Sequence, residues 1–297
     1  MYRHIGLMLL GIWIVADAED ADLVNNHPNW KYFDTKHCGI TKYDEQNIRI
    51  VGGEKAKMGE FPWMVRLGHR YKTNDGLIFF NCAGTLINTR YVLTAAHCGT
   101  NNTMARIGEH DVVNVTDCEG SICAPPVQDR KIEKYFGFGY KKEIRKRDLM
   151  LVLLEEPVKF NEYVVPACLP RGDVLEADYL GKTVQIAGWG ILNSTLGSIP
   201  VDLMSLKAPI LKNKVCDKIY VHKLDESQFC AGYKTGRDSC AGDSGGPVTK
   251  RLKLGGRGQH YVLGIVSYGK KVCGDGPAVY TKVAYFIEDI LDKIENY

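Results

Sequence analysis

The chain has 297 residues, of which 45% are hydrophobic and 25% are charged, and its formal net charge is +3. This composition is that of an ordinary globular protein of one or two domains, and it excludes collagen-like, disordered and coiled-coil chains. The charge is too small to indicate a nucleic-acid partner. Ten cysteines are too few for a scaffold built mainly of disulfides, but their even number indicates pairing, with the connectivity left open.

The first segment, residues 1–18, is predicted to be a secretory signal peptide. Arg3 provides a basic start, the run Ile5–Val15 is apolar, and Ala16-Asp17-Ala18 is a small-x-small cleavage site. The apolar run is shorter than the roughly 18–20 residues of a membrane-spanning helix, so no membrane partner is expected. The protein is therefore expected to be secreted and extracellular, where cysteines form disulfides.

Three N-x-S/T sequons fit that compartment, and each lies in a polar stretch typical of a loop. The glycosylation candidates are Asn101, Asn114 and Asn193. A sequon permits glycosylation without requiring it, so all three remain candidates.

The sequence pattern changes at residue 50. Residues 19–49 are polar and irregular, whereas short apolar runs separated by Gly, Pro and Asn recur from there to the end. These runs are Trp63–Leu67, Leu77–Phe80, Gly84–Ile87, Tyr91–Thr94, Leu149–Leu154, Val184–Ala187, Tyr261–Val266 and Val279–Val283. Their length and composition predict an all-β barrel or sandwich. Helical spacing is found at the C-terminus, in Phe286, Ile287, Ile290, Leu291 and Ile294.

The strongest local motif is the hexapeptide Gly242-Asp243-Ser244-Gly245-Gly246-Pro247. Glycines around a serine allow a sharp turn, and the amides of Gly242 and Ser244 would be placed to stabilise an oxyanion. The motif also fits the G-x-S-x-G elbow of α/β hydrolases, whose catalytic histidine follows the serine. Here only His260 follows, among strand-like segments, so the elbow interpretation is disfavoured.

A serine nucleophile needs a base and an orienting acid. His97 follows the apolar run Tyr91–Leu93 and precedes Cys98, which would tether the backbone beside it. Asp148 opens a strongly apolar strand, where a buried carboxylate needs a partner such as an imidazole N–H. Taken singly, His97 would be a structural histidine and Asp148 a strand-edge residue facing water.

In the order His97, Asp148, Ser244, and with the barrel pattern, residues 50–297 resemble the trypsin/chymotrypsin family of secreted serine endopeptidases. The resemblance implies that Ser244 is the nucleophile, His97 the general base and acid, and Asp148 the group that orients His97. It implies two six-stranded antiparallel β-barrels with a C-terminal helix, the site in the cleft between them, and a barrel boundary near 155–170. No cofactor is required by this chemistry.

The resemblance also implies that the protein is made as a zymogen. Arg49 precedes Ile50-Val51-Gly52-Gly53, a pattern similar to the family's activation site. Cleavage after Arg49 by an upstream trypsin-like protease, or by the enzyme itself, would free the Ile50 amine to pair with Asp243. Residues 19–49 would then be a pro-segment.

The specificity pocket is carried over from the same family. Asp238 stands six residues before the serine and would lie with Ser239 at the pocket base, favouring Arg or Lys. Gly269, after Tyr268, leaves the pocket entrance open. Ala278 stands where the family usually has glycine, and its methyl group is expected to narrow specificity to Arg, with a penalty for Lys.

The family framework implies one pairing of the cysteines. The expected disulfides are Cys38–Cys168, Cys82–Cys98, Cys118–Cys123, Cys216–Cys230 and Cys240–Cys273. The first would keep the cleaved pro-segment attached as a light chain.

The loop that contains Cys118 and Cys123, followed by Ala124-Pro125-Pro126, is similar to a loop of arthropod haemolymph and venom clip-type proteases. Those enzymes carry a six-cysteine clip domain upstream, which is expected to be absent here because only Cys38 precedes residue 50. The resemblance implies limited proteolysis of a protein substrate in an extracellular cascade or venom, a serpin-type inhibitor and no nucleic-acid partner.

Three alternatives stay open at this point. Glu109 and Asp111 are calcium candidates or parts of a solvated loop, since calcium needs six to eight oxygens. The basic run Lys141–Arg147 is either an exosite for acidic substrate segments or a solvated loop. Finally, Ala278 favours a catalytically weak or silent binding or regulatory protein on the same scaffold, although such proteins usually lose a triad residue.

Overall fold

The computed structural model describes residues 23–43, 54–70, 77–190, 200–233, 242–254, 256–270, 272 and 275–295. In this part of the chain the strands are β1 Glu54–Lys55, β2 Met64–Arg70, β3 Ile78–Leu86, β4 Tyr91–Thr94, β5 Met104–Ile107, β6 Cys118–Glu119, β7 Ile122–Cys123, β8 Gln128–Gly137, β9 Met150–Leu154, β10 Thr183–Gly188, β11 Met204–Leu211, β12 Gln228–Ala231, β13 Pro247–Lys253, β14 Gly258–Tyr268 and β15 Ala278–Lys282. The α-helices are Asp173–Glu176 and Ile287–Lys293, residues 23–25 are also helical, and 3₁₀ turns span Pro28–Tyr32, Ala96–Cys98, Asn213–Lys218 and Val283–Phe286. None of the described helices combines the length and apolarity that crossing a bilayer requires.

The first barrel is a closed antiparallel ring in the order β2-β3-β4-β9-β8-β5. β4 and β9 are buried along their whole length. Because both faces of each strand are buried, their sequences are nearly continuous apolar runs. Two separately predicted runs, Leu77–Phe80 and Gly84–Ile87, fall largely within the single strand β3, whose pairing with β2 shifts register at Leu67/Gly68.

The second barrel has the order β11-β10-β13-β14-β15-β12, and a further pairing of β11 with β12 closes the ring. β1 adds to its outside through β11. The predicted fold class, two six-stranded antiparallel barrels, is therefore confirmed. The first barrel's last strand ends at Leu154 and β10 begins at Thr183, so the connection between them includes the predicted boundary near 155–170.

The C-terminal helix joins the two barrels. Its chain leaves β15 of the second barrel, yet its apolar face packs in the hydrophobic core of the first. The residues with helical spacing in the sequence form that face and are at most 2% exposed: Phe286, Ile287, Ile290, Leu291 and Ile294. The Tyr91 hydroxyl accepts a hydrogen bond from the Glu295 amide at the end of the helix (3.1 Å), which ties the helix to β4.

The segment 23–43 packs across the two barrels, although its sequence is polar. The Trp30 side chain is buried in the first barrel's core, and the Asn29 amide donates to the Leu291 and Ile294 carbonyls at 2.9 and 3.0 Å. Gly39, at φ 63°, lies so close to the backbone of His260 that a Cβ would approach its carbonyl oxygen to 2.4 Å. Glycine is therefore required at this position.

Four disulfides are formed in the described part of the chain: Cys38–Cys168, Cys82–Cys98, Cys118–Cys123 and Cys216–Cys230. They join the same cysteines that the family framework pairs. The fifth expected pair, Cys240–Cys273, lies outside the described residues.

Candidate active site

The catalytic candidates of the first barrel come from two neighbouring strands. β4 pairs with β9, with Thr94 opposite Met150. His97 follows the end of β4 and Asp148 precedes the start of β9, so the antiparallel pairing brings the two residues to the same edge. The Cys82–Cys98 disulfide ties the backbone beside His97 to β3.

His97 and Asp148 are held together by two hydrogen bonds. The Nδ1 of His97 lies 2.7 Å from one carboxylate oxygen of Asp148, and the His97 backbone N–H donates to the other at 2.8 Å. The bond at Nδ1 fixes the ring orientation and leaves Nε2 as the nitrogen that faces away from the carboxylate. This arrangement is the one that a general base needs.

The second barrel completes the surroundings of Asp148, which is 1% exposed. The hydroxyl of Ser267, in β14, donates to its carboxylate at 2.5 Å, and the hydroxyl of Thr281, in β15, donates to its carbonyl at 2.8 Å. Burial alone would raise the pKa of Asp148, but hydrogen bonds from His97 and Ser267 outweigh it and hold the pKa below the ordinary value of 3.8. Asp148 is therefore an anion at neutral pH.

Ser244 is brought to this edge by its backbone. Its carbonyl accepts a hydrogen bond from the Ala83 N–H at 2.8 Å and lies 3.7 Å from the Sγ of Cys98. The next residue, Gly245, has φ 80°, and a Cβ there would lie 2.1 Å from the Thr94 hydroxyl oxygen. The serine loop thus packs directly on the strands that carry His97, and glycine is what allows that approach.

The Asp243 carboxylate is buried beneath the serine loop and accepts a hydrogen bond from the Gly190 N–H at 2.7 Å. A Cβ on Gly188 or Gly190 would come within 2.0 or 2.4 Å of its oxygens. The sequence reasoning did not identify these two glycines. They flank Trp189 at the end of β10.

Several predicted site residues fall outside the described part of the chain: Arg49, Ile50, Asn193, Asp238 and Ser239. Gly242, the oxyanion candidate, has φ 103°, and a Cβ there would lie 3.0 Å from the Cα of Gly190. Ala278 is 1% exposed, in the hydrophobic cluster of the second barrel. Asn101 and Asn114 are exposed.

Glu109, left open between a calcium candidate and part of a solvated loop, is buried and lies beside two arginines. Its carboxylate lies 3.8 Å from the guanidinium of Arg66 and 3.3 Å from that of Arg106. Burial, reinforced by the Asp117 charge, raises the pKa of Glu109 against the effect of these arginines. Asp111 accepts hydrogen bonds from its own loop, at Val113 N–H and at the Asn114 amides.

One close grouping of metal-binding residue types occurs in the described residues, namely Cys82, His97 and Cys98. A disulfide occupies both of its sulfurs. This grouping therefore does not offer the thiolates of a metal site.

Most of the basic run before Asp148 is anchored. Lys146 pairs with Asp225 at 3.3 Å, and Arg147 lies 3.4 Å from Asp289. The guanidinium of Arg145 lies over the ring of Tyr268, 5.2 Å from its centroid. The run is thus a structured loop between β8 and β9 that contacts the second barrel and the C-terminal helix, rather than a freely solvated one.

Comparison with known proteins agrees with this geometry. A family model described as Trypsin matches residues 50–290. The chain belongs to the trypsin family of serine proteases.

Three relatives within the family come from insects. Phenoloxidase-activating factor 3 of Holotrichia diomphalia is 38% identical over 279 residues, covering 89% of this chain and 75% of the relative. The Spaetzle-processing enzyme of Drosophila melanogaster is 35% identical, with 87% and 68% covered, and a venom serine protease of Bombus ignitus is 37% identical, with 86% and 70% covered. Among solved structures, the Drosophila Grass clip serine protease of the Toll pathway superimposes with a TM-score of 0.75 at 32% identity, covering 89% of this chain and 76% of that one.

Proposed function

We propose that this protein is a secreted serine endopeptidase that hydrolyses peptide bonds after Arg, and less readily after Lys. The observation that carries the proposal is the pairing of His97 with the buried Asp148, beside the packed loop of Ser244. A hydroxyl becomes a useful nucleophile only when a base removes its proton, and a neutral imidazole oriented by a carboxylate is such a base.

The chemistry would proceed in two halves. The Ser244 Oγ attacks the scissile carbonyl carbon while Nε2 of His97 takes its proton, and the imidazolium is stabilised by Asp148. The backbone amides of Gly242 and Ser244 hold the oxyanion. His97 then passes the proton to the leaving amine, the peptide C–N bond breaks, and water releases the acyl group by the same steps.

Activation would follow cleavage after Arg49. The freed Ile50 ammonium would pair with Asp243, whose carboxylate already lies against Gly188 and Gly190. That pair would order the serine loop and the pocket formed by Asp238, Ser239, Gly269 and Ala278.

A protein substrate in an extracellular cascade fits the names of the relatives, which include an activating factor and a processing enzyme. An upstream trypsin-like protease would be the activator, and a serpin-type inhibitor would end the activity. Residues 19–49 would remain attached through Cys38–Cys168.

The proposal is tested by cleaving the purified chain after Arg49 with a trypsin-like protease and profiling it on a peptide library. Cleavage after Arg should dominate, and an Arg49→Gln variant treated in the same way should stay inactive. A folded chain that is cleaved only after Arg49 and hydrolyses no peptide would instead indicate a catalytically silent binding or regulatory protein.

A further inference from the structure

Arg147 directly precedes Asp148 and has a backbone conformation that residues other than glycine rarely adopt. Its φ is 57°, in the left-handed region, where the Cβ of an L-residue crowds the following carbonyl group. The Arg147 carbonyl accepts a hydrogen bond from the Leu149 N–H at 2.9 Å, so Asp148 lies at the centre of a tight three-residue turn. Because such a backbone is unfavourable by itself, the surroundings of Arg147 must hold it in place.

The Arg147 side chain supplies that support through its guanidinium group. Its Nε–H donates to the Phe138 carbonyl at 2.8 Å, and one terminal nitrogen donates to the Tyr285 hydroxyl at 3.1 Å. The other terminal nitrogen lies 3.4 Å from the Asp289 carboxylate. The guanidinium carbon also lies 5.0 Å from the centroid of the Phe286 ring. These contacts use the rigid fork of donors and the flat face that distinguish arginine from lysine.

The partners of Arg147 belong to fixed parts of the molecule. Phe138, which directly follows β8, and Phe286 are at most 5% exposed, and their ring centroids lie 5.9 Å apart. Phe286 is the last residue of the 3₁₀ turn that leads into the C-terminal helix, and Asp289 lies within that helix. The side chain of Arg147 therefore joins the turn at Asp148 to the C-terminal helix.

The turn at Asp148 decides where its carboxylate points. One oxygen accepts a hydrogen bond from the His97 backbone N–H at 2.8 Å, and the other lies 2.7 Å from Nδ1 of the same residue. Both contacts are made together only when the main chain delivers the carboxylate in this orientation. A turn that relaxed towards an ordinary backbone would displace the carboxylate, and a displacement of about 1 Å in an active site lowers the rate by as much as about a hundredfold.

We propose that Arg147 is a positioning residue, which holds the main chain before Asp148 so that the carboxylate orients the His97 ring and stabilises the imidazolium. This inference rests on the proposed function, because it assumes that His97 is the general base. Arg147 acts through Asp148 rather than on the substrate. Its loss should therefore lower kcat and leave KM nearly unchanged.

The test compares the activated wild type with Arg147→Ala on one Arg peptide. Active sites are titrated with a serine-directed phosphonate, so that kcat is expressed per folded site. We expect kcat to fall about tenfold and KM to change less than about twofold. Arg147→Lys keeps the charge but not the planar fork, so its kcat should lie between those of the wild type and Arg147→Ala.

A second measurement needs no substrate. In proton NMR, an imidazole N–H proton that is strongly hydrogen-bonded to a carboxylate resonates at low field. We expect the Nδ1–H resonance of His97 to move upfield or to broaden in Arg147→Ala, because a displaced carboxylate makes a weaker charge-assisted hydrogen bond. A residue that only stabilised the fold would leave this resonance in place.

Arg90→Ala is the matched control, because Arg90 also anchors β9 through its guanidinium, but at the end far from Asp148. The group donates to the Leu154 carbonyl at 2.8 Å and to the Glu155 carbonyl at 2.9 Å. The variant should lower the thermal stability and leave both kcat and the His97 resonance as in the wild type.

Two results would overturn the inference and leave the proposed function standing: wild-type kcat in Arg147→Ala, or an equal loss of kcat in Arg90→Ala. A wild type that cleaves no peptide would overturn the proposed function itself. In that case an unchanged His97 resonance in Arg147→Ala would overturn the inference as well.

Discussion

At the scale of single residues, Asp148 depends on both barrels. His97 bonds to it from the first barrel, and Ser267 and Thr281 bond to it from the second. A buried carboxylate that lost these donors would be costly, because desolvation favours its neutral form. Asp148 therefore lies where the two barrels meet, and the orientation of its carboxylate depends on how the barrels pack together.

A residue-scale prediction concerns Ala278, which is buried in β15. If its methyl group narrows the pocket, Ala278→Gly should raise kcat/KM for Lys peptides more than for Arg peptides, by about tenfold or less. The measurement is kcat/KM on matched Arg and Lys peptides for the activated wild type and variant. If kcat/KM for each peptide is the same in both proteins, the Ala278 methyl group does not narrow the pocket.

At the scale of elements, noncovalent contacts as well as the disulfide hold the segment 23–43 to the rest of the protein. Trp30 is buried, Asn29 bonds to the C-terminal helix, and the side-chain amide of Gln259 donates to the Cys38 carbonyl at 3.1 Å. The Arg171 guanidinium lies 5.0 Å from the centroid of the Trp30 ring. These contacts reach both the C-terminal helix and the second barrel, so the segment is attached noncovalently to both.

We therefore expect the light chain to stay bound after cleavage at Arg49 even when Cys38–Cys168 is reduced under native conditions. Trp30→Ala should release it, since truncating a buried tryptophan costs about 3–5 kcal/mol. Size-exclusion chromatography of the cleaved, reduced protein measures this retention. His37→Ala is the control, because that side chain is 74% exposed. Equal release from wild type and Trp30→Ala would contradict the expectation.

The elements also show what the sequence could predict. Strands buried on both faces, such as β4 and β9, stand out as apolar runs. β8 was missed because only some of its residues face the core and its sequence, QDRKIEKYFG, is mostly polar. Ser267 lies two residues before the predicted pocket residue Gly269, but its hydrogen bond to Asp148 depends on how the two barrels pack together, which local sequence does not encode. His97, Asp148 and Ser244 indicate a catalytic triad only in combination, because each of their local motifs also has a structural interpretation.

At the scale of the whole molecule, activation would link the new N-terminus at Ile50 to Asp243 in the second barrel. An ammonium that pairs with a buried carboxylate has a raised pKa in the active state, so the pair is intact below that pKa and is lost as the pH rises through it. Losing one partner of a buried pair costs about 3–5 kcal/mol. We expect activity on Arg peptides to fall reversibly at alkaline pH, well above the ordinary amine value of about 8.

The substrate in that experiment must carry Arg rather than Lys, because a lysine side chain titrates in the same alkaline range. Activity that stays flat to the highest pH at which the fold survives would argue against the Ile50–Asp243 pair. Circular dichroism on the same samples separates loss of the pair from unfolding.

The central claim is that Ser244 is a nucleophile switched on by cleavage after Arg49. The direct measurement treats the chain before and after that cleavage with an arginine-type phosphonate, which reacts with activated serines, and maps the modified peptide by mass spectrometry. We predict an adduct on Ser244 in the cleaved chain, little before cleavage, and none in Ser244→Ala. A correctly cleaved, folded chain that carries no adduct on Ser244 would contradict the account.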